Sequence, residues 1–285
     1  MDFIWPMLLT PSEPFTEEGW IFEWKADGIR LELINDKNKG IQGFTRHKTN
    51  CTKAFLPEFE TLSFSDDLIL DCELICYDPE EKRDSWEMVM ERFRLSQDLK
   101  IKYAAETSPC TLIVFDVLYY KKPLLHLDLM QRKHILENLF ENTPFIQKVS
   151  YLDTEGEAFF EQIKNLQLEG AVAKKKDSKY YPGRRVDTWK KIVRYEFFNV
   201  VITGFRKKDF GLLCSFERQG NLKPAGIIEF ATPQNRREFY RRSSNLKGNE
   251  DSLNVYLNKG IPAVVKTRGL TKKGYLRTPS LVEFL

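Results

Sequence analysis

A lysine stands inside Glu23-Trp24-Lys25-Ala26-Asp27-Gly28-Ile29-Arg30, two residues ahead of an Asp-Gly pair and five ahead of an arginine. A lysine amine attacks phosphorus or carbonyl carbon once neighbouring cations and desolvation populate its neutral form. Gly28 lets the backbone turn sharply or come close to a ligand or another chain segment. The same letters also read as a plain hairpin turn carrying an exposed lysine. The segment alone does not choose between these, so the elements around it must.

Trp20-Ile21-Phe22 and Ile29 to Ile34 read as strands, which puts Lys25 at the end of one strand on a rigid sheet. Further strands are predicted at Ile41–Thr45, Leu68–Cys76, Leu112–Leu118, Gly170–Lys174 and Trp189–Val193. Beyond these come Val200–Phe205, Leu212–Phe216, Ile227–Ala231 and Ala263–Thr267. Helical spacing marks Leu129, Leu136, Leu139 and Phe140, with Asp128 as cap. It also marks Phe159, Phe160, Ile163 and Leu166, with Thr154 and Glu157 at capping-box spacing. Arg236 to Arg242 suggests a short basic helix. The pattern predicts an α+β fold: residues 1–195 as antiparallel sheets with flanking helices, and 196–285 as a small OB-like β-barrel.

The 285 residues carry 44 Lys plus Arg against 41 Asp plus Glu, a net charge of +3 that is too mild to name a nucleic-acid partner by itself. Distribution says more, because Arg206-Lys207-Lys208, Arg236-Arg237, Arg241-Arg242 and Lys272-Lys273 all fall in the last third. Such pairs are solvated faces by default, but four in one stretch also suit a phosphate-tracking surface. No apolar run is long enough for a membrane span, and the amino terminus lacks a signal-peptide pattern. Five cysteines without a C-x-x-C pair, and three scattered histidines, argue against structural zinc and a disulfide framework. The expectation is reduced thiols in a cytoplasmic protein.

The residues around Lys25 resemble the first motif of the nucleotidyltransferases that carry AMP or GMP on a lysine: ATP-dependent DNA ligases, RNA ligases and capping enzymes. Other segments follow in that family's order. Thr45-Arg46 with Phe55-Leu56-Pro57-Glu58 resembles S-R-N-G…F-P-E, and Leu70-Asp71-Cys72-Glu73-Leu74 resembles D-G-E-L with cysteine replacing glycine. Val114-Phe115-Asp116 is similar to the aromatic-Asp strand, Glu169-Gly170-Ala171-Val172-Ala173-Lys174 to E-G-x-V-x-K, and Trp189-Lys190-Lys191-Ile192 to W-x-K-[IL]. The ligase-like Arg46…Pro57-Glu58 segment, the Arg277-x-Pro279-Ser280 ending and the short length point to a minimal ATP-dependent DNA ligase of bacterial, phage or viral type.

The resemblance implies roles residue by residue. Lys25 attacks the α-phosphate of ATP, Asp27 orients the sugar or the incoming hydroxyl, and Arg30 and Arg46 bind the 5′-phosphate or the activated AMP. Glu23 belongs to the nucleotide pocket, Glu73 accepts from the ribose, Phe115 stacks on adenine, and Lys174 and Lys191 cradle the α-phosphate. Glu169, with Glu73, stands on the side of a Mg2+ or Mn2+ ion. Arg206, Lys207, Lys208, Arg236, Arg237, Arg241 and Arg242 are the implied contacts to nicked double-stranded DNA. A monomer with a hinge about Arg194 to Asn199 is implied as well.

Two positions depart from the family pattern. Val193 replaces the second lysine of the last pocket motif, leaving Arg194, or Lys190 by a shifted alignment, to compensate. The usual closing R-x-D-K is not found, leaving Arg277, Lys272 or Lys273 as substitutes. Strand alternation favours Lys191 over Lys190 as the phosphate-facing residue. A GTP-using capping enzyme, an RNA ligase and a binding protein that merely keeps the fold remain the competing readings.

Overall fold

A computed structural model describes all residues, Met1–Leu285. The chain divides into two compact units, Met1–Val193 and Arg194–Leu285.

The first unit is built on two sheets. One has seven strands, running Gly40–Thr45, Ile29–Asp36, Leu68–Asp78, Cys110–Tyr120 and Lys122–Pro123, with Arg83–Asp84 and Ile146–Lys148 attached at the sides. The other runs Leu8–Pro11, Arg185–Val193, Gly170–Lys175, Trp20–Trp24 and Tyr151–Asp153. Most pairings are antiparallel as expected; Leu8–Pro11 with Arg185–Val193, and Cys110–Tyr120 with Ile146–Lys148, are parallel. The two strands flanking Lys25 therefore belong to different sheets, and Asp27-Gly28 is a crossover between them rather than a hairpin turn.

Alternation along the strands sorts residues into layers. On Leu68–Asp78, Leu70, Cys72, Leu74 and Cys76 enter an outer core with Phe55, Phe59 and Val89. The alternate residues of that strand face the other sheet, where Ile69 joins Met7, Ile21, Leu118, Tyr180 and Trp189. Phe160 and Ile163 of the Gly156–Asn165 helix cover the far side of the five-stranded sheet against Phe22, Ala171 and Ile192.

Several expectations need correction. The helix at Gly156–Asn165 is not capped by Thr154, which has φ of 69° and turns its hydroxyl to Asp153; the Thr16 hydroxyl instead accepts from the Glu157 N–H at 3.3 Å. The helix Leu129–Glu137 is preceded by Asp128, whose N–H donates to the Gln131 side chain at 3.0 Å. Cys51, Cys72 and Cys214 are free, but Cys76 and Cys110 form a disulfide. These two lie directly opposite on adjacent antiparallel strands with Cα atoms 4.5 Å apart, a separation short enough for a bridge. Helices Trp86–Phe93 and Asp98–Thr107, and strands Leu8–Pro11, Lys247–Glu250 and Ser280–Phe284, were not expected.

In the second unit, strands run Asn221–Ile228, Leu212–Arg218, Glu196–Arg206, Asn254–Thr267 and Lys247–Glu250, with Ser280–Phe284 also pairing Asn254–Thr267. Every pairing between these strands is antiparallel. Its core gathers Ile202, Leu212, Ile228, Ala263 and Val265 with Phe239 of the Pro233–Ser243 helix. Glu196 to Asn199 already pair with Val264 to Thr267, so the stretch without strand pairing narrows to Arg194-Tyr195.

Candidate active site

A pocket opens between the two sheets of the first unit. Leu9, Glu23, Trp24, Val172, Lys174 and Trp189 come from the five-stranded sheet; Arg30, Glu73, Ile113 and Phe115 come from the seven-stranded one. Lys25, Ala26 and Val149 complete the wall. An apolar slot with few polar groups at its edges is the usual form of a small-molecule site.

Two glycines let the nucleophile loop sit where it does. A Cβ on Gly28 would overlap the Leu74 carbonyl oxygen, so the crossover lies directly on the neighbouring strand. A Cβ on Gly170 would overlap the Ile192 carbonyl, and the Gly170 carbonyl accepts from the Lys25 N–H at 2.8 Å. Lys25 Nζ lies 2.6 Å from Glu169 Oε2. Behind the loop, the backbone N–H of Asp27 donates to Asp84. Burial pushes the Asp84 carboxyl up to about 6, although that bond draws it back.

Register opposes Val172 to Lys191 and Lys174 to Trp189, so all four share the pocket side of the sheet. Lys190, opposite Ala173, points the other way and lies over the Phe15 and Trp20 rings. Glu23, opposite Val172 on the other flank, takes Lys174 Nζ at 2.7 Å and also pairs with Lys133. Lys174 sits over Phe115 and Trp189, 4.4 and 4.2 Å from the ring centroids. Burial brings its ammonium down to about 8 despite Glu23.

Glu73 faces the pocket on the alternate face from Cys72 and Leu74, which are buried in the outer core. Burial pushes its carboxyl up to about 8; Lys25 draws it back and Glu169 adds to the rise. The cysteine in the D-G-E-L position fits because its side chain enters that core, with the thiol donating to the Leu31 carbonyl at 3.1 Å. Arg30 makes a forked contact with Asp71 at 2.9 and 2.6 Å and donates to the Met7 carbonyl at 2.6 Å. Its guanidinium lies 5.3 Å from the Phe115 centroid, so it forms part of the pocket floor while held by Asp71. Arg46 is exposed outside the pocket lining, tied through its N–H to the Arg30 carbonyl at 3.2 Å.

Sequence reading missed Lys133, Asp71, Tyr180 and Asp84. Tyr180 donates to Asp71 at 2.7 Å and accepts from the Met7 N–H at 2.9 Å, closing a network under Arg30. Lys133 meets Glu23 across 110 residues of sequence, a separation that no local spacing could signal.

Of the seven basic residues implied as DNA contacts in the second unit, four are ion-paired. Arg206 bonds Glu229 at 2.8 Å, Lys207 lies 3.2 Å from Glu250, and Arg241 and Arg242 share Glu238. Arg236 packs 4.0 Å over the Phe210 ring. Lys208 and Arg237 are exposed. No helix of the chain is long and apolar enough to cross a membrane.

Comparison with known proteins agrees with this picture. The family model described as ATP dependent DNA ligase domain matches residues 7–192. The SPbeta prophage-derived DNA ligase-like protein LigB of Bacillus subtilis (strain 168) is 35% identical over 280 residues, covering 98% of this chain and 97% of that protein. The bifunctional non-homologous end joining protein LigD of the same organism is 26% identical over 305 residues, and the chain spans 49% of its length. A solved Lig E DNA ligase shares the fold with a TM-score of 0.67 at 18% identity, covering 97% of this chain and 98% of that one. Mycobacterial DNA ligase D, solved with ATP and MES, gives 0.60 at 24% identity, with 99% and 95% covered. The match over residues 7–192 places the chain among the ATP-dependent nucleotidyltransferases. Within that class, the chain belongs to the ATP-dependent DNA ligase family.

Proposed function

We propose that the protein seals nicks in duplex DNA through an AMP–lysine bond on Lys25. The observation that carries this reading is Lys25 itself, held by Gly170 at the mouth of an apolar pocket with Glu169 at 2.6 Å. The Lys25 amine, its proton released towards Glu169, attacks the α-phosphorus of ATP; the bond to pyrophosphate breaks and a P–N bond forms. A 5′-phosphate oxygen at the nick then attacks the same phosphorus and frees the lysine, which regains its proton. The 3′-hydroxyl finally attacks the 5′-phosphorus, and AMP leaves.

Phe115 and Trp24 wall the slot where the adenine would sit, with Glu73 at the ribose. Lys174 and Lys191, on one face of the sheet, would neutralise the α-phosphate. Asp27 would orient the sugar or the incoming hydroxyl. Arg46 would meet the 5′-phosphate, and Arg30 would support the base through Phe115.

A divalent cation such as Mg2+ or Mn2+ suits the carboxylate-rich edge formed by Glu169 and Glu73. One or two carboxylates, completed by phosphate and water, are the usual donors of such an ion. Such an ion would supply charge neutralisation on the phosphates. The second unit, read as an OB-like barrel, would contact the duplex through phosphates, with Lys208 and Arg237 among its exposed cations and Arg206, Lys207, Arg236, Arg241 and Arg242 as further contacts. The protein is read as a cytoplasmic monomer.

Intact-mass spectrometry after incubation with ATP and magnesium tests the reading. The expected outcome is an added AMP on the wild type and none on Lys25→Ala. No adduct on wild type, even after pyrophosphate treatment to discharge preloaded enzyme, sinks the catalytic reading. Addition from GTP instead of ATP moves it to capping.

A further inference from the structure

Glu23 carries two cations where its pocket role calls for one. Lys174 lies 2.7 Å from Oε2 and Lys133 is bound at Oε1, and all three side chains are buried. In this arrangement Lys174 rests against Phe115 and Trp189 and donates to the Phe115 carbonyl at 3.4 Å. Its ammonium thus occupies the aromatic wall of the slot. While it remains on Glu23, its charge is shared with that carboxylate rather than given wholly to an α-phosphate. Moving it away would strand a buried carboxylate, and uncompensated buried charge is strongly unfavourable.

Lys133 is placed to prevent that. It projects from the Leu129–Glu137 helix, whose preceding residue Arg132 forms a forked pair with Asp116 at 2.8 Å on both arms. Asp116 follows Phe115 on the same strand, so the helix is fixed to the strand that walls the slot. Lys133 also lies 5.6 Å from the Tyr151 ring centroid, and Tyr151 is the direct β-partner of Glu23.

We propose that Lys133 is a positioning residue for nucleotidyl transfer: it stays on Glu23 while Lys174 moves from that carboxylate to the α-phosphate of ATP. The exchange leaves each buried charge with a partner before and after nucleotide binding. This rests on the reading of Lys25 as the AMP acceptor.

The test is single-turnover transfer of AMP from ATP to the full-length protein, with the maximal rate and the ATP dependence measured separately. Lys133→Met should lower the maximal rate by about tenfold or more, since Glu23 then retains Lys174, while the apparent KM changes by roughly threefold or less. Lys133→Arg should recover the rate to within about threefold of wild type, since it restores a cation at the same carboxylate. In a Glu23→Gln background the carboxylate that traps Lys174 is gone, so adding Lys133→Met should cost less than about twofold.

A merely structural lysine would slow both backgrounds equally, and that result overturns the proposal. So does a Lys133→Met rate equal to wild type, or an arginine variant no faster than the methionine one. Should Lys133→Met fail to fold by circular dichroism, Lys133→Gln takes its place in the same comparison. Absence of AMP transfer on wild type would instead refute the Lys25 reading.

Discussion

The two units of this chain handle charge in opposite ways. Every buried charged side chain, from Glu23 to Lys174, lies in Met1–Val193. Arg194–Leu285 buries only Ser215, Ser243 and Thr267 among its polar residues, keeps its ion pairs at the surface and closes its core with aliphatic and aromatic side chains. Buried ion pairs are weak sources of stability, because desolvation offsets much of their attraction. Arg92–Glu58 lies in the outer core, but Lys25–Glu169, Arg30–Asp71 and the Glu23–Lys133–Lys174 group gather at one pocket, and there they read as preorganisation for a phosphate reaction. The second unit needs only a stable frame and an outward-facing set of cations.

The sharpest break of this contrast comes from cutting one partner in each unit. Arg132 and Asp116 are fully buried and fork onto each other, so Arg132→Met leaves a carboxylate alone in the core. A loss of about 3–5 kcal/mol is expected in thermal or urea unfolding. Glu238→Gln, which removes the exposed partner of Arg241 and Arg242, should lower the melting temperature only slightly, because exposed pairs contribute little. If the two variants melt alike, the division between the units is wrong.

Next in size is an effect on chemistry without comparable loss of fold. Gly28→Ala drives a methyl group into the Leu74 carbonyl and must displace the loop that carries Lys25. AMP transfer should fall by about a hundredfold, since misplacing a reacting group by roughly an ångström has that consequence. A rate near wild type would mean that the loop's close approach to the strand is not what aims Lys25.

In the second unit the corresponding experiment reads binding. Lys208→Glu with Arg237→Glu reverses two exposed cations. Affinity for nicked duplex should drop by about tenfold at low salt, with a shallower salt dependence, while AMP transfer to Lys25 holds its wild-type rate. A slowed first step in this variant would show that the division of labour is not clean.

Much of this division could be read in the chain, for a physical reason. Strand alternation around Trp189 is a period of two, so Lys191 could be preferred over Lys190 from sequence, whereas Glu73 was reached only through its motif, since alternation alone does not say which face is the pocket. The site's supporting charges could not be read. Asp71, Tyr180 and Lys133 acquire meaning only through partners more than 40 residues away, as in the Arg30–Asp71, Tyr180–Asp71 and Lys133–Glu23 pairs. Cys76 and Cys110 likewise become neighbours only once strand register is known. Helices Trp86–Phe93 and Asp98–Thr107 escaped notice because they bury few residues: Val89 and Arg92 in one, Ile101 alone in the other.

The smallest expected effect separates the units by sign. Glu73 binds its proton up to about pH 8 in the folded pocket against 4.5 for the free side chain, chiefly through burial. Between those values the folded state holds a proton that the unfolded state has released, so rising pH removes stability across that window. Asp84, pushed up to about 6, adds in the same direction. Lys174 reverses the trend above about 8, because the unfolded chain keeps its proton up to 10.5. In the second unit Glu238 and Asp251 are drawn down to about 2, Glu238 by hydrogen bonds from Arg241 and Arg242 and Asp251 by those from Tyr256 and two backbone N–H groups. Their contribution is present through the neutral range and lost only in acid. Hydrogen exchange resolved by unit at pH 5 and pH 8, corrected for intrinsic rates, should therefore find the first unit weaker at pH 8 and the second unchanged. Glu73→Gln should raise the melting temperature of the ligand-free protein at pH 8 by roughly 2–4 °C, vanish as an effect near pH 4.5, and weaken ATP binding. Equal melting of the variant and wild type at pH 8 would mean that Glu73 is ionised in the empty pocket, already compensated by Lys25 and Arg30.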